Sequence, residues 1–346
     1  MDPSPKGSRL DADHPKSGVL IPCRSTDKKK AHVDFLDAEL RKSEYRDGIG
    51  RNIHLINSAF EPHATTIIET VKKKGPSNRA LFFLDQYGWS DVSFDVIRSI
   101  FRDMKNPEVI LTFSVDSLID YFQEETAKHR SGRAIELNDD FAERIVGLKT
   151  EQGARYLIQN FLYRHIQAKT GAPFYTPFFL KSATCRRAYW LLHLSRHERA
   201  RDEMARLHWE MSNIFVHHGG AGFNALGFDP NVDPDQCGFD FDFGSDAKID
   251  SLNAAVEQLP RLIRDDAPDG VPITIADLFK ARCNDTPLTM PLVSEAVVKL
   301  RDEFAEVEVL TADGKLRPSA VNLSWEDRVR PRRQRSFFRS LGVGGP

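Results

Sequence analysis

The 346-residue sequence has no apolar run that approaches the length of a membrane span, and its opening MDPSPKGSRLDADHPKSG lacks the hydrophobic stretch of a secretory signal. A cytoplasmic location is expected. Cysteine is scarce: Cys23, Cys185, Cys237 and Cys283 are scattered without CxxC spacing, which argues against a zinc knuckle or a disulfide framework. They read as reduced and structural. An excess of one charge is also missing, because 48 basic residues face 50 acidic ones for a formal net charge of -2. Any attraction to nucleic acid or to an anionic membrane therefore has to be local.

What the sequence does have is alternation. Gly18–Ile21 reads as a short apolar strand after a polar N-terminus of 17 residues that is expected to be disordered, and Asp27 as the cap of a helix to about Lys42. Asn52–Asn57 is a second strand, and Pro62 opens a helix that stops at Lys72-Lys73-Lys74-Gly75-Pro76. The pattern repeats with the strand Ala80–Leu84, a helix after Ser93 carrying Val96, Ile97, Ile100, Phe101 and Met104, and the strand Val109–Phe113 with a helix near Asp116–Gln123. Strands alternating with helices of this length predict βαβ units and a parallel sheet. Leu81-Phe82-Phe83-Leu84 runs straight into Asp85-Gln86-Tyr87-Gly88, and the carboxyl ends of parallel strands are where such sheets place their chemistry.

The middle of the chain is more helical. Asn138–Val146 and Glu151–Ala168 are helix candidates, and Pro173–Leu180 reads as a strand. Arg187–Leu194 pairs with that strand, or else Leu191–Met204 is one helix; the pattern allows both. Arg196–Ser212 carries charges that suggest a solvated face. His217–Ser245 reads as an irregular inter-domain linker. Beyond it, Ala255–Ile263, Thr274–Ala281 and Pro291–Phe304 are helices, and Glu306–Leu310 and Leu316–Leu323 are strands around the hairpin signal Asp313-Gly314. That order predicts a winged helix-turn-helix.

Several residues are candidates for chemistry, each with a plainer role beside it. His193 and His197, four apart on a possible helix, have metal-ligand spacing but no HExxH motif or third ligand, so packing is the stronger reading. Ser114 either lines a crevice at a strand end or caps the following helix. The loop His217–Gly222 offers amides to an anion or is simply a turn. For nucleic acid, the candidates are Lys299 on the second helix of the winged module, Lys315 and Arg317 in the wing, and the tail residues Arg330, Arg332, Arg333 and Arg335, beside Phe337 and Phe338.

The blocks FFLDQYGW at 82–89, ILTFS at 110–114, YWLLHLSRHERARDEM at 189–204, GFNALGFDP at 222–230 and ITIADLFKARCNDTP resemble the three-Cys-motif partner family over roughly residues 18 to 338. The resemblance implies an α/β fold: a Rossmann-like, class I methyltransferase-type sheet followed by a C-terminal winged helix-turn-helix of the GMT-like kind. It also implies a bacterial protein that works with a radical-SAM-like three-Cys-motif protein encoded nearby. The domains that follow are 1–17 as a disordered N-terminus, 18–216 as the Rossmann-like domain, 217–250 as a linker, 251–330 as the winged helix, and 331–346 as an Arg-rich tail.

The departures from the family pattern are informative. The expected first strand and Gly-rich loop for S-adenosylmethionine are missing, and Gly48-Ile49-Gly50 lies in a polar turn before a strand. Only Asp27, displaced from the expected place, is available to hold the ribose hydroxyls. Ala59 stands where the adenine-side acid belongs, and Gln86 where the family has proline. The domain is thus expected to lack its first strand, through truncation, degeneration or both, and no cofactor is expected. The resulting expectation is an accessory protein without methyl transfer of its own that contacts nucleic acid through the winged helix. One alternative is an S-adenosylmethionine-dependent N-methyltransferase acting on DNA or RNA, in which Asp85 orients the amine and Tyr87 stacks on the base. The other is a DNA-binding regulator.

Overall fold

The computed structural model describes residues 23–73, 75, 79–86, 88–121, 129–148, 154–181, 188–210, 216–218, 240–242, 245–319 and 321–332. The expected strand Gly18–Ile21, the His217–Gly222 loop beyond His218, Tyr87, Arg333 and Arg335 lie outside them. The chain divides into two compact units, Met1–Thr65 and Thr66–Pro346.

In the first unit, strand β1 (Cys23–Thr26) and strand β2 (Ile53–Ile56) pair in parallel as a two-stranded sheet, Cys23 against Ile53 and Thr26 against Ile56. Helix α1 (Lys30–Lys42) connects them. Its N-cap is Lys29, not the expected Asp27; the Asp27 carboxylate instead accepts the Lys29 N–H at 2.7 Å, ahead of the first helical turn. Helix α2 (Glu61–Lys73) crosses from this unit into the next.

The second unit is built on a six-stranded sheet. Its members are β3 (Arg79–Leu84), β4 (Asn106–Phe113), β5 (Phe174–Lys181), β6 (Ala188–Ser195), β7 (Val216–His218) and β8 (Asp240–Asp242), in the order β3-β4-β6-β5-β7-β8. Only the β3–β4 pair is parallel, so the sheet is mixed and not the parallel one that βαβ alternation predicts. The β5–β6 antiparallel pair resolves the open choice over residues 187–204 in favour of a strand through Ser195, followed by helix α8 (Glu198–Glu210). Both ends of the expected linker are ordered, because β7 and β8 pair antiparallel across it and the next helix starts at Ser245.

Alternation decides which face of this sheet is buried. Val109, Leu111 and Phe113 of β4 are wholly buried, whereas Glu108, Ile110 and Thr112, which alternate with them, are half-buried. Helix α3 (Phe94–Asp103) adds a stripe of Phe94, Ile97, Ile100 and Phe101 to the core. After α4 (Val115–Tyr121), α5 (Arg130–Ala134) and α6 (Asp139–Leu148), helix α7 (Ala154–Thr170) packs on α3 and buries Ile158, Leu162 and Ile166.

The C-terminal part begins with α9 (Ser245–Asp266) and continues through β9 (Ile273–Thr274), α10 (Ile275–Lys280), α11 (Met290–Asp302), β10 (Val307–Leu310) and β11 (Arg328–Pro331). The strands form a three-stranded antiparallel sheet, β10-β11-β9, over a core of Leu259, Ile263, Leu278, Phe279, Val293, Val297 and Val329. Thr274 caps α10 by accepting the Asp277 N–H at 3.0 Å. The partner of β10 is therefore Arg328–Pro331, and not the expected Leu316–Leu323, of which Leu316 makes a single bridge to Leu310.

Candidate functional site

At the end of β3, Asp85 is exposed, and its Oδ1 lies 2.9 Å from the Thr112 hydroxyl on the neighbouring strand. The same Oγ1 accepts the Gln86 N–H at 2.8 Å, so one threonine stitches the turn to β4. Gln86 is buried, and its Oε1 accepts the Val92 N–H at 3.1 Å. Gln86 thus ties the turn to the residues just before α3. Ser114, 1% exposed, holds the other side: its N–H reaches the Gly88 carbonyl at 3.1 Å, and its hydroxyl donates to Ser117 at 2.7 Å within the first turn of α4. Its carbonyl accepts the Leu118 N–H at 3.1 Å, so Ser114 stands at the start of α4 and makes its side-chain bond to another side chain.

Asp27, the candidate for ribose, belongs to the first unit. Its carboxyl is held below the usual range by the Lys29 N–H and then by His32, whose Nδ1 is 3.0 Å away. Those contacts are local.

His193 lies on strand β6, which removes the helical metal-ligand spacing with His197. It is fully buried, with Nε2 2.9 Å from Glu108 on β4, while His197 Nε2 reaches Asn106 at 2.7 Å. The His193 contact, followed by weaker charge effects, keeps the Glu108 carboxyl low despite partial burial. Among the described residues no cluster of three or more His, Cys, Asp or Glu side chains is placed to hold a metal.

The basic candidates of the C-terminal part are mostly spoken for. Arg317 donates to buried Asp327, Arg330 to Glu308 at 2.9 Å across the β10–β11 pair, and Lys315 lies 2.9 Å from Asp313. No ion pair is found among the described residues for Lys299 or for the exposed Arg332.

The arrangement that sequence reading missed is on α8. Arg201, 1% exposed, donates to the carbonyls of Thr286 and, at 3.0 Å, Leu288. Asp202 accepts the Met290 N–H at 2.7 Å, and Trp209 donates to the Pro287 carbonyl at 2.8 Å. From β5, the Tyr175 N–H reaches the Asn284 side chain, which in turn donates to the Pro173 carbonyl, both at 2.9 Å. The α10–α11 turn is therefore clamped to the six-stranded sheet and its α8 helix. Burial pushes the Asp202 carboxyl above its ordinary value, against the pull of the Met290 N–H, and raises the Cys283 thiol in the turn to about 11. A thiol so protonated is inert. Arg201, Ala205 and His208 recur at helical spacing, the signal by which this buried stripe was readable.

No family model matches the chain, and no curated protein matches its sequence. The site therefore rests on its own geometry. Arg201 in the block 189–204 meets Thr286 in the block 273–287, and the rest of the clamp lies just beyond that block at Leu288 and Met290. No described helix is long and apolar enough to cross a membrane.

Proposed function

We propose that the chain is a three-Cys-motif partner-like accessory protein, a Rossmann-like methyltransferase-type domain with a C-terminal winged helix-turn-helix of the GMT-like kind. In this reading it works beside a radical-SAM-like protein bearing the three cysteines and transfers no methyl group itself. The observation that carries it is the bonding of the Asp85–Gln86 turn. An amine-orienting carboxylate has to be available to a substrate, whereas Asp85 Oδ1 accepts the Thr112 hydroxyl that secures its own loop, and Gln86 Oε1 accepts the Val92 N–H.

The domain assignment draws support from strand order. Antiparallel β6 sits between β4 and β5, which makes β5 parallel to β4, as in a doubly wound sheet with one reversed strand inserted. The succession of α9, β9, α10, α11 and a terminal strand pair supports the winged helix. The clamp supports a rigid presentation of α11 by the larger domain, which suits a protein that acts through its surfaces.

Contact with nucleic acid is the second reading, favoured by Lys299 on α11 and by the exposed Arg332 at the end of the strand pair. The charge compensation of Lys315, Arg317 and Arg330 keeps that contact weak. Co-expression with a three-Cys-motif protein encoded beside this chain, followed by size-exclusion chromatography, tests the first reading. A single co-eluting peak is expected; two independent peaks contradict it.

A further inference from the structure

A winged helix-turn-helix reads sequence with the N-terminal turns of its second helix, whose side chains reach base edges in the major groove. In this chain that helix is α11, and its N-terminal end is covered. Thr289 and Met290 are buried, and the Met290 N–H is held by Asp202 of α8. In the turn that leads into the helix, the Thr286 and Leu288 carbonyls accept from Arg201 and the Pro287 carbonyl accepts from Trp209. Ser294, one turn further on, is buried as well, with its Oγ accepting the Leu323 N–H at 3.2 Å. The exposed side chains of these first two turns are Pro291, which has no hydrogen-bonding group, and Glu295, whose charge phosphates repel.

The cations lie elsewhere. Strand β11 is the central strand of its sheet, and alternation sends Val329 into the core and Arg328 and Arg330 to the other face. Arg332 extends that row by one step, its N–H bonded to the Glu306 carbonyl at 2.8 Å. Arg330 is matched by Glu308. Arg328 and Arg332 are both exposed and stand roughly 13 Å apart along the strand. The Glu306 N–H in turn reaches the Leu300 carbonyl at 2.9 Å, which brings Arg332 beside the last turn of α11, next to Lys299. No ion pair is found among the described residues for Arg328, Arg332 or Lys299.

Resting on the nucleic-acid reading above, we propose that the C-terminal part holds duplex DNA by its phosphates, through Arg328, Arg332 and Lys299, and reads no base sequence through α11. Guanidinium and ammonium groups bind phosphate wherever the backbone presents it, so the affinity they give is indifferent to sequence and falls with salt. Base readout needs polar side chains at the groove floor, and the end of α11 that would carry them is occupied by α8. The clamp thus selects the kind of ligand, a duplex of any sequence.

Anisotropy titrations of the full chain with duplexes of equal length and unrelated sequence, each over a salt series, test this. Dissociation constants within about threefold of one another at each salt concentration are expected. Arg328→Ala and Arg332→Ala should each lower the slope of log affinity against log salt by about one on every duplex, while Arg332→Lys, which keeps the charge, leaves it unchanged. Both positions are exposed, and unchanged far-UV circular dichroism serves as the folding control. A preference of about tenfold or more for one duplex overturns the proposal and leaves contact with nucleic acid standing. So does a salt slope indifferent to both arginines. Absence of binding to every duplex at low salt removes the nucleic-acid reading and the proposal together.

Discussion

Arg201 is a charged side chain in the place of a core residue. A buried guanidinium is tolerated only where its hydrogens meet acceptors, and the carbonyls of Thr286 and Leu288 supply them. Arg201→Ala leaves a cavity and two buried carbonyls without donors, so a loss of about 3 kcal/mol or more is expected, seen as a lower urea midpoint. Arg317 is half-buried but acts on a buried group. Its guanidinium neutralises Asp327, which is 3% exposed and also accepts the Ser324 N–H at 2.7 Å. Arg317→Ala strands that carboxylate and should cost about 2 kcal/mol by the same measurement, while a pure nucleic-acid contact would leave the midpoint unmoved. Both residues were visible in the sequence, but one read as part of a solvated helix and the other as a phosphate contact. A single segment does not reveal where the partner of a charge will come from: Asp327 is 10 residues from Arg317, and Thr286 is 85 from Arg201.

Elements were legible where one face carried the signal. Helix α3 buries Phe94, Ile97, Ile100 and Phe101, and a helix after Ser93 is what the apolar spacing predicts. Strand β11 escaped because Val329 is its one apolar residue of full burial, flanked by Arg328 and Arg330, and such a segment reads as solvated until Glu308 is seen opposite Arg330. Strand β6 stayed ambiguous because Trp190-Leu191-Leu192 is apolar on both parities, which fits a strand covered on both faces and a buried helix equally.

Helix α11 illustrates the energetics of such elements. Its N-cap Thr289 makes no side-chain capping bond; the Met290 N–H is met by Asp202, from helix α8. A carboxylate near a helix N-terminus is favourable, yet burial raises the Asp202 pKa above the ordinary 3.8. The unfolded chain therefore releases this proton at lower pH than the folded one. Stability contributed here is greatest below the ordinary value and declines as pH rises through the window between it and the raised folded value. Asp202→Asn keeps an acceptor for the Met290 N–H and removes the ionisation, so the stability difference between variant and wild type should move in favour of the variant across that window. Urea melts at a series of pH values check the sign; a difference independent of pH would contradict it.

For the whole molecule, the alternation of elements and the C-terminal helix–helix–strand order were legible, but the mixed character of the sheet was not. Period-2 patterning tells which face of a strand is buried and says nothing of its direction. The candidate site was legible only as a location. Asp85 and Gln86 stand at the end of β3 as expected, but Thr112, which organises them, lies 26 residues beyond Gln86 and carried no signal of its own. The surface charge makes a prediction at this scale too. Where duplex DNA is bound, Lys299→Ala or Arg332→Ala should reduce the slope of log affinity against log salt by about one, while Arg330→Ala, already matched by Glu308, should leave it unchanged. Anisotropy titrations over a salt series read both, and equal effects from all three would count against the compensation described.

The central claim is that the chain acts through its surfaces and does not use a methyl donor of its own. Titration calorimetry of the folded full chain with S-adenosylmethionine tests it most directly. Heats that match dilution, without saturation, are the predicted result; a saturable isotherm with one site per chain, abolished by Asp85→Ala, would contradict it.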